Sequence, residues 1–318
     1  MVASWKTRTR KAEKKNLKGR VAIYGPSGSG KTYTALRLAT GMCQEQPFDG
    51  RILFIDTEFR SSELYSDTFD FDILEMNPGG DFPPTIENVS KVLAEAPAEG
   101  YSQIIIDSIS HTWKELLAEI DKLANTQRYR GNSHRAWAVG TPKQESFIRA
   151  LKLCDADVIV CMRSATEWDI QKNDRGKTEV VRVGTKPVQG KGLEYEFDML
   201  LGVNTEHWVT VEKDRTGKFQ DQCYEKPGEE WGRDIWRWLN SGRADVVDGQ
   251  WDAEKDKLEQ SLGDLGITLA DADAWHRKSF GKGLAYTNRQ GRVAAFRKLR
   301  ENPDLAKDFI QNNGQGEE

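Results

Sequence analysis

Residues Gly25-Pro26-Ser27-Gly28-Ser29-Gly30-Lys31-Thr32 fit the spacing GxxxxGK[ST]. Glycines at these positions let backbone N–H groups curl around a phosphate. Lys31 is spaced to reach the β- and γ-phosphates, and Thr32 to ligate Mg²⁺. Tyr33 follows directly and joins the expected nucleotide contacts. Asp107 ends the apolar run Ile104-Ile105-Ile106, where a carboxylate supports the magnesium shell. The plainer alternative is a strand-end aspartate that caps the next helix. Residue 108 is serine, so Asp107 has no adjacent glutamate. A hydrolase still needs a group to orient and polarise water. Glu58, closing Phe54-Ile55-Asp56-Thr57-Glu58, reads as that group, against the alternative of a solvated loop glutamate. ATP and Mg²⁺ are the cofactors this pattern predicts.

These residues need a scaffold. Residues 20–24 read as a strand entering the glycine turn, and 31–43 as the helix after it. That strand–loop–helix order is the context that gives the motif its meaning. Strands follow at 51–55, 71–76 and 103–107, with a helix at 85–96 and another rich in Trp113, Leu116, Leu117 and Ile120. Glu58 is expected at the C-terminal edge of a strand beside the phosphate-loop strand. Residues 126–140 read as an exposed loop, 142–153 as a helix and 157–162 as a strand. The polar stretch 164–192 reads as a long functional loop. Strands at 197–203, 207–213 and about 218–224 and a helix at 230–240 complete the core. Alternating strands and helices argue an α/β fold with a mainly parallel sheet, and the late hairpins an antiparallel edge. From about 243 only helical patterns remain. The expected organisation is a basic arm over 1–18, a core over 19–242 and a small helical domain over 243–318.

The chain has 318 residues, 37% hydrophobic and 30% charged, enough apolar material for a sizeable core. It holds no run of the roughly 20 apolar residues a membrane span needs. The four cysteines, Cys43, Cys154, Cys161 and Cys223, form no zinc or CxxC spacing. A reduced, cytoplasmic protein without a membrane partner is expected. The net charge of -4 hides a pattern. Residues 1–20 carry eight Lys/Arg and one Glu; residues 275–300 carry eight Lys/Arg and no acid. Basic segments on an acidic body suit an anionic polymer or the acidic face of another copy. A solubilising arm and a solvated helix face are the bland alternatives.

The series GPSGSGKT, IDTE, IIIDSISHTW, VIVCMRSATEW, YEFDMLLGV and VEKDRTGKF resembles the RecA-like P-loop ATPases. Within them it is most similar to the phage Sak-type single-strand annealing and recombinase ATPases. The likeness covers about residues 18–241. It implies a RecA-like core with the catalytic glutamate at Glu58. It also implies a polar γ-phosphate sensor after strand 157–162, where this chain has Arg163-Ser164 in place of glutamine. Lys213 and Arg215 match a basic pair that reaches a neighbouring subunit's nucleotide; a charged hairpin turn is the alternative. Two DNA-binding loops are implied. The first holds Arg128, Tyr129, Arg130, His134, Arg135 and Trp137, interleaved as single-strand binding requires. The second holds Lys172 and Arg175, among acids that weaken the signal. Arg277, Lys278 and Arg292 in the basic C-terminal segment add a third candidate surface. Trp275, Phe280, Leu284, Val293, Phe296 and Leu299 are the expected small core there, with the basic residues outside.

The resemblance implies an ATP-dependent recombination or annealing protein that binds single-stranded DNA as a ring or filament. A single-strand binding protein is a candidate partner, and Trp5 a candidate anchor for the arm on a neighbour. A phage origin would place it in a bacterial host's cytoplasm. A RecA-like ATPase acting on a protein partner, or a helicase-type motor, are the alternatives.

Overall fold

The structure, a computed structural model, describes residues 9, 11–12, 14–46, 50–172, 178–190, 192–241, 258–280 and 289–304. The chain divides into two compact units, Lys18–Ile235 and the described parts of Met1–Leu17 with Trp236–Glu318.

The larger unit is an α/β sheet whose strands run β3-β2-β4-β5-β1-β7-β8-β9, with β6 paired to β5 off this path. The strands are β1 (Arg20–Gly25), β2 (Arg51–Asp56), β3 (Asp72–Glu75), β4 (Tyr101–Asp107) and β5 (Asp157–Lys172). Then come β6 (Thr178–Pro187), β7 (Met199–Val203), β8 (Trp208–Asp214) and β9 (Cys223–Glu225). Pairing is parallel from β3 through to β7 and antiparallel for β7–β8 and β8–β9. The expected architecture is therefore present. Every residue of β1 is buried, as suits a central parallel strand covered on both faces. The helices are α1 (Lys31–Gln44), α2 (Ile86–Glu95), α3 (Ile109–Ala124), α4 (Ser133–Leu153) and α5 (Glu229–Leu239). Helices α1 and α5 touch backbone to backbone. A Cβ on Gly41 would come within 1.9 Å of the Glu229 carbonyl oxygen, and one on Gly232 within 2.3 Å of that of Leu38.

The N-terminal edge of the central strands is closed by polar side chains. Arg20 is buried and donates to the carbonyls of Leu151 (2.5 Å), Ala156 (2.8 Å), Gly19 (2.9 Å) and Cys154. It thereby satisfies carbonyls that the end of α4 leaves open. Asp157 accepts from Gly19 N at 2.6 Å and from Gln103 Nε2 at 2.7 Å.

Three local expectations fail. Helix α4 starts at Ser133, capped by Asn132, whose side chain accepts from Arg135 N at 3.0 Å; Pro142 sits inside it. Gly140 and Pro142 mimic breakers, yet Ala136, Gly140, Phe147 and Leu151 form one buried face at helical spacing. The stretch 164–192 is largely a hairpin: β5 continues to Lys172 and pairs antiparallel with β6 from Ser164↔Pro187 to Lys172↔Thr178. Finally, β2 neighbours β3 and β4, so two strands separate Glu58's strand from β1.

In the smaller unit, residues 258–263 are helical, followed by α6 (Leu269–Phe280) and α7 (Arg289–Glu301). Leu262, Ile267, Ala272, Trp275, Ala295 and Leu299 form its core, with Phe296 packed against it. Leu284 and the side chains of Phe280 and Val293 lie outside the described residues. His276 and Arg292 are buried here, against the expectation that the basic residues lie outside, whereas Arg297 and Arg300 are exposed as expected. The end of the arm runs along its own chain: Leu17 N donates to Leu239 O at 3.1 Å, and Lys14 Nζ lies 4.0 Å over the Trp238 ring. Trp5 lies outside the described residues. Among the described residues no helix is long and apolar enough to cross a membrane.

Candidate nucleotide site

The phosphate loop leaves β1 and turns at Gly28 and Gly30, with φ of +77° and +92°. Both values lie in the left-handed region that glycine enters without steric cost. Gly30 is also the N-cap of α1 and supplies no side-chain cap. The first N–H groups of that helix are thus left to an anion. Ser29 Oγ is buried with no hydrogen-bond partner, an orphaned polar atom inside the loop. Lys31 Nζ donates to Pro26 O at 2.8 Å and so folds over the loop.

Thr32 Oγ1 donates to Asp107 Oδ2 at 2.6 Å, joining the start of α1 to the end of β4. Two hard oxygen donors at the phosphate loop fit Mg²⁺, which takes few protein ligands and completes its shell with phosphates and water. Asp107 is 3% exposed, and burial lifts its pKa to about 6. The Glu58 and Asp56 carboxylates push the same way, against Lys31 and the Thr32 hydroxyl. A divalent cation would remove that penalty.

Glu58 stands on a buried frame. Asp56, 1% exposed, accepts from Glu58 N at 2.7 Å, Ser62 N at 3.0 Å and Ser62 Oγ at 2.5 Å. These bonds hold a turn in which Phe59 and Arg60 have φ of +55° and +67°. Two successive left-handed non-glycine residues cost roughly 1–2 kcal/mol each. The Thr57 hydroxyl accepts from Ser108 N at 2.7 Å and lies 2.8 Å from His111 Nδ1. The end of β2 is thus tied to the end of β4. Burial, with the Arg163 cation nearby, pushes the His111 pKa down.

Arg163, in β5 between β4 and β1, donates from Nε and Nη2 to Glu58 Oε1 at 3.0 and 2.9 Å. Its backbone is fixed at the root of the hairpin. Arg163 N donates to Ser110 Oγ (3.0 Å), Ser110 Oγ to Val188 O (2.9 Å), and Val188 N to Arg163 O (2.7 Å). Lys31, Thr32, Asp107 and Glu58, widely spaced in sequence, thus meet at the C-terminal ends of β1, β2 and β4. Asp56, Thr57 and Ser110 carried no role in the sequence reading. A hydroxyl or carboxylate one or two residues from a site residue, at a strand end, was the available signal.

The remaining predicted residues are placed differently. Lys213 Nζ donates to the carbonyls of Phe197 (2.7 Å), Tyr195 (2.8 Å) and Glu194 (3.1 Å). Arg215 donates to Tyr195 O at 2.6 Å and lies 3.5 Å from Asp198. Both cations are engaged within their own chain. Arg128, Arg130, His134 and Arg135 are exposed on the α3–α4 turn and the first turn of α4. Their aromatic neighbours are not. Tyr129 is buried in the core, and Trp137 packs on Trp113 with ring centroids 5.7 Å apart. The interleaving therefore does not make a stacking platform. Arg292, buried in the smaller unit, is not on a surface that phosphates reach. For Lys172, Arg277 and Lys278 only the backbone is described, and Arg175 lies outside the described residues.

A family model described as an AAA domain matches residues 17–229. No curated protein matches the chain. The matched span covers the phosphate loop, Glu58, Asp107 and Arg163, and most of the larger unit. The chain belongs to this AAA-domain family of P-loop NTPases.

Proposed function

We propose that the chain is an oligomeric ATPase that binds single-stranded DNA and promotes strand annealing or recombination. One observation carries this reading. The β5–β6 hairpin, the segment that the RecA-like resemblance assigns to DNA, is rooted at Arg163, and Arg163 holds Glu58. A ligand on the hairpin and the γ-phosphate end of the nucleotide site would share that residue. The exposed cluster Arg128, Arg130 and Arg135 supports a phosphate contact without base stacking.

ATP with Mg²⁺, when bound, supplies the phosphoryl group and neutralises its developing charge. The backbone N–H groups of Gly28–Thr32 and Lys31 bind the phosphates. Thr32 and Asp107 would hold the metal. Glu58 orients the attacking water and takes its proton. Arg163 positions Glu58 and, as the polar end of its strand, is the candidate γ-phosphate sensor. Lys213 and Arg215 can serve a neighbour's site only by exchanging their present carbonyl partners.

A second reading, an ATPase acting on a protein partner, is favoured by two exposed apolar residues in the segment that follows Glu58 in the chain. Phe59 is 67% and Leu64 82% exposed. ATP hydrolysis measured with and without single-stranded DNA, at low salt and across protein concentration, separates the two. DNA stimulation that rises cooperatively with concentration is expected. Reversing Arg128, Arg130 and Arg135 to glutamate should weaken DNA binding by at least ~10-fold. Turnover indifferent to DNA would move the reading to the protein-directed ATPase.

A further inference from the structure

Beside the phosphate loop opens a cleft of about 360 Å³. Its walls include Tyr33 and Arg37 of α1, His207 of the β7–β8 turn, and Lys226 and Pro227 before α5. Ser29 and Gly30 form its floor at the phosphate loop. This is room enough for a purine and its ribose. Lys31 and Thr32 direct the β- and γ-phosphates toward Asp107. The sugar and base must then leave over the first turns of α1, where this cleft lies.

The cleft is built rather than incidental. The Tyr33 ring is held edge-on by Tyr65 and Phe69, with centroids 5.9 and 5.2 Å away. Arg37 donates to Tyr33 OH at 3.3 Å. His207 sits in the left-handed region, φ +67°. Asn204 holds that turn, its side chain accepting from Glu206 N (3.1 Å) and Trp208 N (2.8 Å). The His207 carbonyl accepts from Lys226 N at 3.1 Å, joining the two loops.

His207 Nδ1 lies 3.0 Å from Ser29 O. A carbonyl oxygen only accepts, so Nδ1 carries the proton in this bond. In the neutral ring Nε2, on the edge away from Ser29, is then a lone-pair acceptor. Adenine presents a 6-amino donor, whereas guanine and hypoxanthine present a 6-oxo acceptor. An acceptor at the cleft pairs with the first and repels the others.

We propose that His207 is the base-selecting residue, reading the 6-amino group of adenine through Nε2. This rests on the nucleotide reading of the phosphate loop and goes beyond it, since that loop recognises phosphates alone. The test is titration calorimetry with ADP and inosine diphosphate, in which a 6-oxo group and the N1–H that comes with it replace adenine's 6-amino group and bare N1. The wild-type protein should bind ADP about 10-fold tighter, the size of one hydrogen bond replaced by repulsion. His207→Gly keeps the left-handed backbone and removes the ring. His207→Asn, a residue that tolerates that conformation, is a second variant too short to reach the base. In both, the preference should shrink to within about 3-fold, with Lys31→Ala reporting phosphate-loop binding separately. Equal wild-type affinity for the two nucleotides overturns the proposal and leaves the nucleotide site standing. So does a preference that survives in either variant, because a merely supporting His207 would weaken both nucleotides alike. Failure of both nucleotides to bind wild-type protein overturns the nucleotide reading together with the proposal.

Discussion

The same central strands end in two very different polar regions. At their N-terminal edge, Arg20, Asp157 and Gln103 are buried, and Arg20 spends its donors on backbone carbonyls. At their C-terminal edge, Asp107 is buried with a lifted pKa, Ser29 Oγ has no partner, and Glu58 and Arg163 face each other half-exposed. The first region uses polar groups to close a structure. The second leaves charge and hydrogen-bonding capacity to be completed by a ligand. Both contain an arginine among polar neighbours, so residue type does not separate them. Placement does: Arg20 and Asp157 are enclosed among the backbone groups they bond, whereas Asp107, Glu58 and Arg163 stand at the phosphate loop, where a ligand can join or replace their present partners.

The largest effect expected from this contrast is kinetic. Glu58→Gln should lower the ATP hydrolysis rate by about 10³-fold while ATP still binds, as for loss of a general base. Single-turnover hydrolysis beside an equilibrium binding assay reads both quantities. Normal turnover would place Glu58 with the structural groups instead.

The mirror experiment is at the other edge. Arg20→Met should destabilise the protein by roughly 3 kcal/mol, by leaving buried carbonyls unsatisfied. Nucleotide affinity of the folded fraction should stay within about 3-fold. Denaturant melts with and without nucleotide check this. A variant that folds well but loses nucleotide would break the distinction between the edges.

The smallest effect lies on Asp107, whose pKa rises from 3.8 to about 6 on folding. Between those values the native protein keeps a proton that the unfolded chain releases. The stability this group contributes is complete below about pH 4 and lost as pH rises through 6. At pH 8 the ionised carboxylate costs up to about 3 kcal/mol. Asp107→Asn should therefore melt a few degrees higher than wild type at pH 8 without Mg²⁺ and nucleotide. The two should melt alike near pH 4. Equal melting at both pH values would mean that Asp107 carries no such strain.

The DNA-facing reading teaches a related lesson about legibility. Arg128, Tyr129, Arg130, Arg135 and Trp137 look like one binding set by composition. The helical phase of α4 and the turn before it divide them, sending the arginines out, Tyr129 into the core and Trp137 half-buried against it. Arg292 fails for the same reason, since a basic run on a helix still has an inner face. The β5–β6 hairpin reads as a loop in the sequence because it lacks the apolar run that marks the first half of β5.

The sequence by itself determined the phosphate loop, the roles open to Lys31, Thr32 and Asp107, and the mainly parallel α/β architecture. Those depend on short-range features: glycine where φ must be positive, apolar runs for buried strands, a carboxylate at a strand end. Only the tertiary structure decided that Glu58 answers to Arg163 across 105 residues, that Lys213 is held by its own chain, and that His207 rests on Ser29. Such contacts follow from strand order and loop closure, and the side chains that make them carry no local periodicity for a sequence to display.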